Sequence, residues 1–125
     1  MADALLDTTV FIDYYEGDLA ARAVVDAVLE GRATASYSPI TTLEVWLGLL
    51  NHADEMAMTV IMRLMEQVPL TDSASIRAAN WLRGVSPRRA GGLFRDALIA
   101  ATAAEPVVTR NVADFQRFGV DVQPY

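Results

Sequence analysis

Asp7, Glu44, Asp96 and Asp114 are the residues of this chain whose types and places could do chemistry. Asp7 directly follows the apolar pair Leu5-Leu6, and Asp114 stands a few residues beyond Val107-Val108-Thr109. Asp96 follows Leu93-Phe94-Arg95 and leads into Ala97-Leu98-Ile99-Ala100, while Glu44 interrupts an otherwise apolar stretch from Ile40 to Leu50. Carboxylates brought together repel, so such a set must either take up protons or share a cation. The chain has no cysteine and a single histidine, His52, which leaves oxygen as the ligand type and Mg²⁺ or Mn²⁺ as the fitting metals. A divalent ion held by carboxylates can polarise a phosphoryl oxygen and lower the pKa of a bound water, the requirements of phosphodiester hydrolysis. Because Mg²⁺ takes only one or two protein carboxylates and keeps several waters, Asp7 and Asp96 are expected as direct ligands. Glu44 and Asp114 are then expected to act through water or to hold a second ion.

Strands alternating with helices would carry all four to one rim. Ala4-Leu5-Leu6 reads as a short buried strand, followed by Thr8 and Thr9 as helix-opening residues and a helix from Val10 to Tyr15. Asp18 is placed to cap a second helix running to Glu30, with Gly31 as its C′ residue. Ala33 to Tyr37 is a weaker strand. Ser38-Pro39 then starts a helix apolar over more than one face, either deeply buried or half of an interface, in which Trp46, Leu47, Leu49 and Leu50 read more readily as core than as contact surface. A helix over Asp54–Glu66, a strand at Val68-Pro69-Leu70 and a helix from Asp72 or Ser73 to about Gly84 follow. Ser86 to Gly92, with Pro87, Arg88, Arg89 and two glycines, reads as a mobile loop before the Asp96 helix. Pro106 to Thr109 is a buried strand and Val120 to Val122 an edge strand. The expected architecture is a single α/β domain over residues 1–125, in three layers, with a mostly parallel sheet of about five short strands flanked by helices. In such a sheet ligands bind beyond the carboxyl ends of the strands, where Asp7, Asn111 and Asp114 fall.

Composition excludes several function classes. The absence of cysteine rules out disulfides, thiolate zinc and cysteine nucleophiles, and one histidine removes most serine-hydrolase triads. No apolar run approaches a membrane span, and Met1-Ala2-Asp3-Ala4 lacks the basic start of a signal peptide, so a cytoplasmic protein is expected. Lysine is absent and the formal net charge is −6. Residues 1–85 hold 5 Arg against 12 acids, and residues 86–125 hold 5 Arg against 4, so the acidity sits in the first part. That balance argues against a passive nucleic-acid coat and is compatible with an enzyme that grips phosphate through metal and local arginines.

Four stretches now carry a resemblance. Leu5-Leu6-Asp7-Thr8-Thr9-Val10-Phe11-Ile12-Asp13, Thr42-Leu43-Glu44-Val45-Trp46-Leu47-Gly48-Leu49, Asp96-Ala97-Leu98-Ile99-Ala100-Ala101-Thr102-Ala103 and Val107-Val108-Thr109-Arg110-Asn111-Val112-Ala113-Asp114-Phe115 resemble, in order and spacing, the motifs of PIN-domain ribonucleases. They are most similar to the VapC-type toxins of prokaryotic toxin–antitoxin pairs, and the likeness covers essentially the whole chain. The resemblance implies a PIN-like fold and a Mg²⁺- or Mn²⁺-dependent endoribonuclease, usually a homodimer, inhibited by a small cognate antitoxin protein. It also implies a 5′-phosphate product. The acidic set carried over is Asp7, Glu44, Asp96 and Asp114, with Thr9 and Thr109 where the family places hydroxyls. Asn111 is neutral where some members carry another acid, which leaves one ion or two open. The link Glu105-Pro106 is shorter than usual.

Other readings are weighed against this one. A phospho-acceptor receiver domain of similar size needs a lysine, and this chain has none. A PIN-like domain acting as a non-catalytic binding partner has no reason to keep four repelling carboxylates, and a DNA-directed nuclease would use the same site. Arg95 and Arg110 flank the acids and are the better candidates for RNA phosphate contacts, ahead of Arg88 and Arg89. Asp13 and Asp18 read as solvent-facing or capping residues, and His52 as a surface residue.

Overall fold

The structure, a computed structural model, describes residues 2–125. Its elements in chain order are β1 (Ala4–Leu6), α1 (Thr8–Tyr15), α2 (Leu19–Leu29), β2 (Ala35–Tyr37), α3 (Pro39–Gly48) and α4 (His52–Arg63). They continue with β3 (Glu66–Gln67), α5 (Asp72–Arg83), α6 (Pro87–Thr102), β4 (Val107–Val108), α7 (Val112–Arg117) and β5 (Val122–Gln123). The five strands pair in the order β3-β2-β1-β4-β5 and every pairing is parallel, where a mostly parallel sheet was expected. No helix among the described residues is long and apolar enough to cross a membrane.

Period-2 alternation builds the three layers. Leu5 and Val107 point to one face, where α5, α6 and α7 contribute Ala78, Leu93, Ala97, Ile99 and Phe115. Their neighbours Leu6 and Val108 point to the other face, packing with Val10, Phe11, Val25, Val45 and Met58 of α1 to α4. Both faces are therefore covered, which is why β1 and β4 are apolar at every position. The chain runs from β1 outward through β2 to β3, then returns to place β4 on the other side of β1. The carboxyl ends of β1 and β4 thus flank the point where the winding reverses, and loops leaving in opposite directions open a crevice there.

Local signals set most helix starts. Ser38 accepts from the Ile40 amide with Pro39 at the first helical position, and Asp18 accepts from the Ala21 amide at 2.9 Å. Gly31 follows α2 with φ of +75°, as expected of its C′ place.

Several expected elements differ. Ser86 to Gly92 is not a loop: α6 begins at Pro87 and runs through both glycines. Proline at the first helical turn loses no hydrogen bond, and packing of Leu93 and Ala97 against the core outweighs the glycines' weak propensity. The third strand lies at Glu66–Gln67 rather than Val68–Leu70, because Pro69 has no amide to pair; Val68 still donates to the Tyr37 carbonyl at 2.9 Å. An exposed edge strand can be polar. Helix α4 starts earlier, under an Asn51 cap, and ends at Arg63. The last strand sits one or two residues later than expected. Leu47 and Leu50, expected in the core, are 73% and 83% exposed. α3 stops at Gly48 with extended backbone at Leu49, so Leu49 turns inward while Leu50 projects out.

Candidate functional site

Asp7 leaves the end of β1 and occupies the N-cap position of α1, yet its side chain caps no amide there. It is only 1% exposed. Its Oδ2 is held twice: the Thr109 hydroxyl at the end of β4 donates at 2.8 Å and the Thr9 hydroxyl at 3.1 Å. Each hydroxyl is itself fixed by a backbone amide, Asn111 N–H to Thr109 Oγ1 at 2.9 Å and Arg110 N–H to Thr9 Oγ1 at 3.3 Å. Asp7 Oδ1 has no partner; among the described residues only Thr42 Oγ1 is another buried side-chain polar atom in that position. A buried, bare carboxylate oxygen costs free energy unless something positive completes it. Burial pushes the Asp7 carboxyl above the usual carboxylate range, and the Thr109 hydroxyl, the Thr8 and Thr9 backbone amides and the Thr9 hydroxyl only partly offset it.

Asp96 stands midway along α6 and is half-buried. Its carboxyl is pushed up to about 7, first by burial and then by the negative charges of Asp7, Asp114 and Glu44, with Arg95 opposing them. Asp7, Asp114 and Glu44 are therefore each within Coulombic reach of Asp96. Glu44 projects from α3 with its Oε1 accepting from the Thr8 hydroxyl at 2.7 Å, while Thr8 and Thr41 hydroxyls lie 3.1 Å apart. Asp114 sits in the first turn of α7. Among the described residues no three Asp, Glu, His or Cys side chains are close enough to form a ready-made ligand set. The donor set nevertheless fits a hard divalent cation that keeps most of its waters: one bare buried oxygen, a second carboxyl held protonatable by its neighbours, and no nitrogen or sulfur ligand.

The arginines divide. Arg95 Nε lies 3.5 Å from Glu44 Oε2, at the edge of the acids. Arg110 turns its guanidinium away from them, to Asp18 at 2.8 Å and Asp13 at 3.3 Å, beneath the Tyr125 ring. Arg88 and Arg89 are exposed in the first turn of α6. His52 is exposed, as expected. Sequence reasoning took Thr8 only as a helix opener and so missed its bond to Glu44, 36 positions away. It also missed Tyr125, whose hydroxyl donates to Asp13 Oδ2 at 2.7 Å. No local pattern signals either contact.

Known proteins are similar to this chain along most of its length. The PIN domain family profile matches residues 4–112, ending two residues short of Asp114. A toxin–antitoxin complex from Klebsiella pneumoniae contains a chain 25% identical, covering 90% of this chain and 89% of that one, with a TM-score of 0.71. FitAcB from Neisseria gonorrhoeae gives 26% identity, 95% coverage of each chain and a TM-score of 0.70. DNA-bound VapBC from Salmonella typhimurium, at 22% identity, covers 99% and 98% with a TM-score of 0.73 and is a likeness of fold. Comparison with curated proteins gives no match. Since the family profile spans most of the sequence and solved structures superpose along nearly all of it, this chain belongs to the PIN-domain family.

Proposed function

We propose that this protein is the VapC-type toxin of a toxin–antitoxin pair, a Mg²⁺- or Mn²⁺-dependent endoribonuclease restrained by a cognate antitoxin. The observation that carries the reading is the bare, buried Asp7 Oδ1, together with an Asp96 whose carboxyl is pushed up to about 7 by burial first and then by the charges of Asp7, Asp114 and Glu44. Asp7 and Asp96 would hold the ion, with Glu44 and Asp114 reaching it through water or holding a second. A bound Mg²⁺ or Mn²⁺ supplies Lewis-acid polarisation of a phosphoryl oxygen and a more acidic water. The chain's own part is orientation. Thr109 and Thr9 fix the Asp7 carboxylate and Thr8 fixes Glu44, and Glu44 or Asp114 would take a proton from an incoming water. Arg95, with its side chain more than half exposed, can release Glu44 and meet an RNA phosphate when the ion is present.

The partnership rests on the toxin–antitoxin complex in which a similar chain occurs. It also rests on the exposed Leu43, Leu47, Leu50, Met56 and Val60 of α3, α4 and the link between them, an apolar surface suited to an antitoxin helix. A homodimer working on cytoplasmic RNA completes the proposal.

The test is cleavage of a mixed RNA pool by antitoxin-free protein with Mg²⁺, Mn²⁺ or EDTA. Metal-dependent cutting lost in Asp7→Asn is the expected result. Cutting that survives EDTA and Asp7→Asn would sink the proposal, and cutting of single-stranded DNA alone would redirect it to a DNA nuclease.

A smaller effect is expected at Thr8. Thr8→Val keeps the shape but removes the hydroxyl that donates to Glu44, and groups that orient metal-site carboxylates are worth about tenfold in activity. The kcat is expected to fall by about that factor with the thermal midpoint little changed. An unaltered kcat would mean that Glu44 needs no such support.

A further inference from the structure

The Arg110 guanidinium ties the segment after β4 to α1, to the head of α2 and to Tyr125. It meets Asp18 Oδ1 at the head of α2 at 2.8 Å and Asp13 Oδ2 on α1 at 3.3 Å. It lies 4.7 Å from the Tyr125 ring centroid, and the Tyr125 hydroxyl donates to the same Asp13 oxygen at 2.7 Å. Asp18 also accepts from the Ala21 amide, so its carboxylate is fixed before Arg110 reaches it. The backbone amide of this same Arg110 donates to Thr9 Oγ1, and the next amide, Asn111, donates to Thr109 Oγ1. Both hydroxyls end on Asp7 Oδ2.

We infer that Arg110, clasped by Asp13, Asp18 and Tyr125, is a positioning residue that sets the Asp7 carboxylate, and not a phosphate contact. The clasp anchors the first residue after Thr109, and so holds two successive amides against the two hydroxyls. With Oδ2 saturated by those hydroxyls, Oδ1 is the oxygen left for a ligand. A guanidinium already forked between two carboxylates and stacked on a ring has little to offer an RNA phosphate. Its planar fork bridges two acids, which a lysine ammonium cannot do with the same geometry. The inference rests on the proposed nuclease reading for its effect on turnover, though not for its effect on the metal-free protein.

Two readouts on wild type, Arg110→Ala, Arg110→Lys and Tyr125→Phe separate the possibilities. The first is amide hydrogen exchange in metal-free protein. Exchange at Arg110 and Asn111 is expected to speed up by about tenfold in Arg110→Ala and Arg110→Lys, and by less in Tyr125→Phe, as the loop is released. The second is Mn²⁺-dependent RNA cleavage at several salt concentrations. Here kcat is expected to fall by about tenfold while KM and its salt dependence stay put, because misplacing a ligand slows the reaction without loosening substrate. A raised KM with unchanged kcat and a flatter salt slope would show that Arg110 grips phosphate, overturning the inference. Unchanged exchange in all variants would overturn it as well. Tyr125→Phe loses one hydroxyl only and keeps the test open if Arg110→Ala fails to fold. Accelerated exchange in a protein that cleaves nothing would uphold the clasp and bring down the nuclease reading instead.

Discussion

Asp96→Asn is expected to abolish metal-dependent cleavage and, without metal, to make the protein more stable. The loss of rate should be on the order of a thousandfold, the scale found when one charged group is taken from a preorganised site. The gain in stability follows from the same geometry. The Asp96 carboxyl is raised from 3.8 to about 7 by burial and by Asp7, Asp114 and Glu44, so its ionised form is disfavoured in the folded chain. Below about pH 4 the group is protonated in both folded and unfolded states and costs nothing. As pH rises towards 7 the unfolded chain ionises freely while the folded one resists, and stability falls; above 7 the full cost is present. A shift of this size corresponds to about 2 kcal/mol once solvent screening of a half-buried group is allowed for. Asparagine carries no charge at any of these values. Metal-free Asp96→Asn should therefore melt roughly 5–10 °C above wild type at pH 8 and converge with it near pH 4. Saturating Mn²⁺ should reverse the order, since wild type, with both direct carboxylates, gains the more binding energy. A variant less stable than wild type at pH 8 would mean that the four acids do not strain the metal-free fold.

The sequence announced these acids because each follows or interrupts an apolar run, and an apolar run in an α/β chain is a strand or a buried helix face. Leu5-Leu6 and Val107-Val108 are buried on both sides, so they cannot be read by alternation, but their length and flanking residues mark them as strands. The order of the strands is what made Asp7 and Thr109 neighbours, 102 positions apart. No spacing or period along the chain gives that order. Errors fell where local composition and tertiary packing disagree. Two glycines and a proline at 87–92 read as a loop, yet α6 continues through them because Leu93 and Ala97 have a core to fill. Leu47 and Leu50 read as core because apolar residues usually are, whereas the helix ends too early to bury them. Asp13 and Asp18 were read as solvent-facing or capping; Asp18 does cap, and both also hold an arginine more than 90 positions away. Partners at such separations leave no trace in spacing or period.

Mn²⁺ affinity is expected to be nearly constant above pH 7 and to weaken by about tenfold per pH unit between 7 and 5, with one proton released per ion bound in that range. The direction follows from Asp96 again: the ion and the proton compete for one carboxyl, and the proton is held up to about pH 7. An ordinary aspartate would be ionised throughout this window and would give a flat response. Calorimetric titration in buffers of different ionisation enthalpy reads the proton directly, at close to one per ion at pH 6 and close to zero at pH 8.5. Asp114→Asn removes one of the charges that raise the Asp96 carboxyl, so its inflection should move to lower pH even as the metal binds more weakly. That opposite movement separates a specific Coulombic origin from general loss of the site, because a variant that merely loosened the fold would weaken binding at every pH alike. A flat affinity from pH 5 to 8 in wild type would take Asp96 out of the ligand set and leave Asp7 as the only direct carboxylate proposed here.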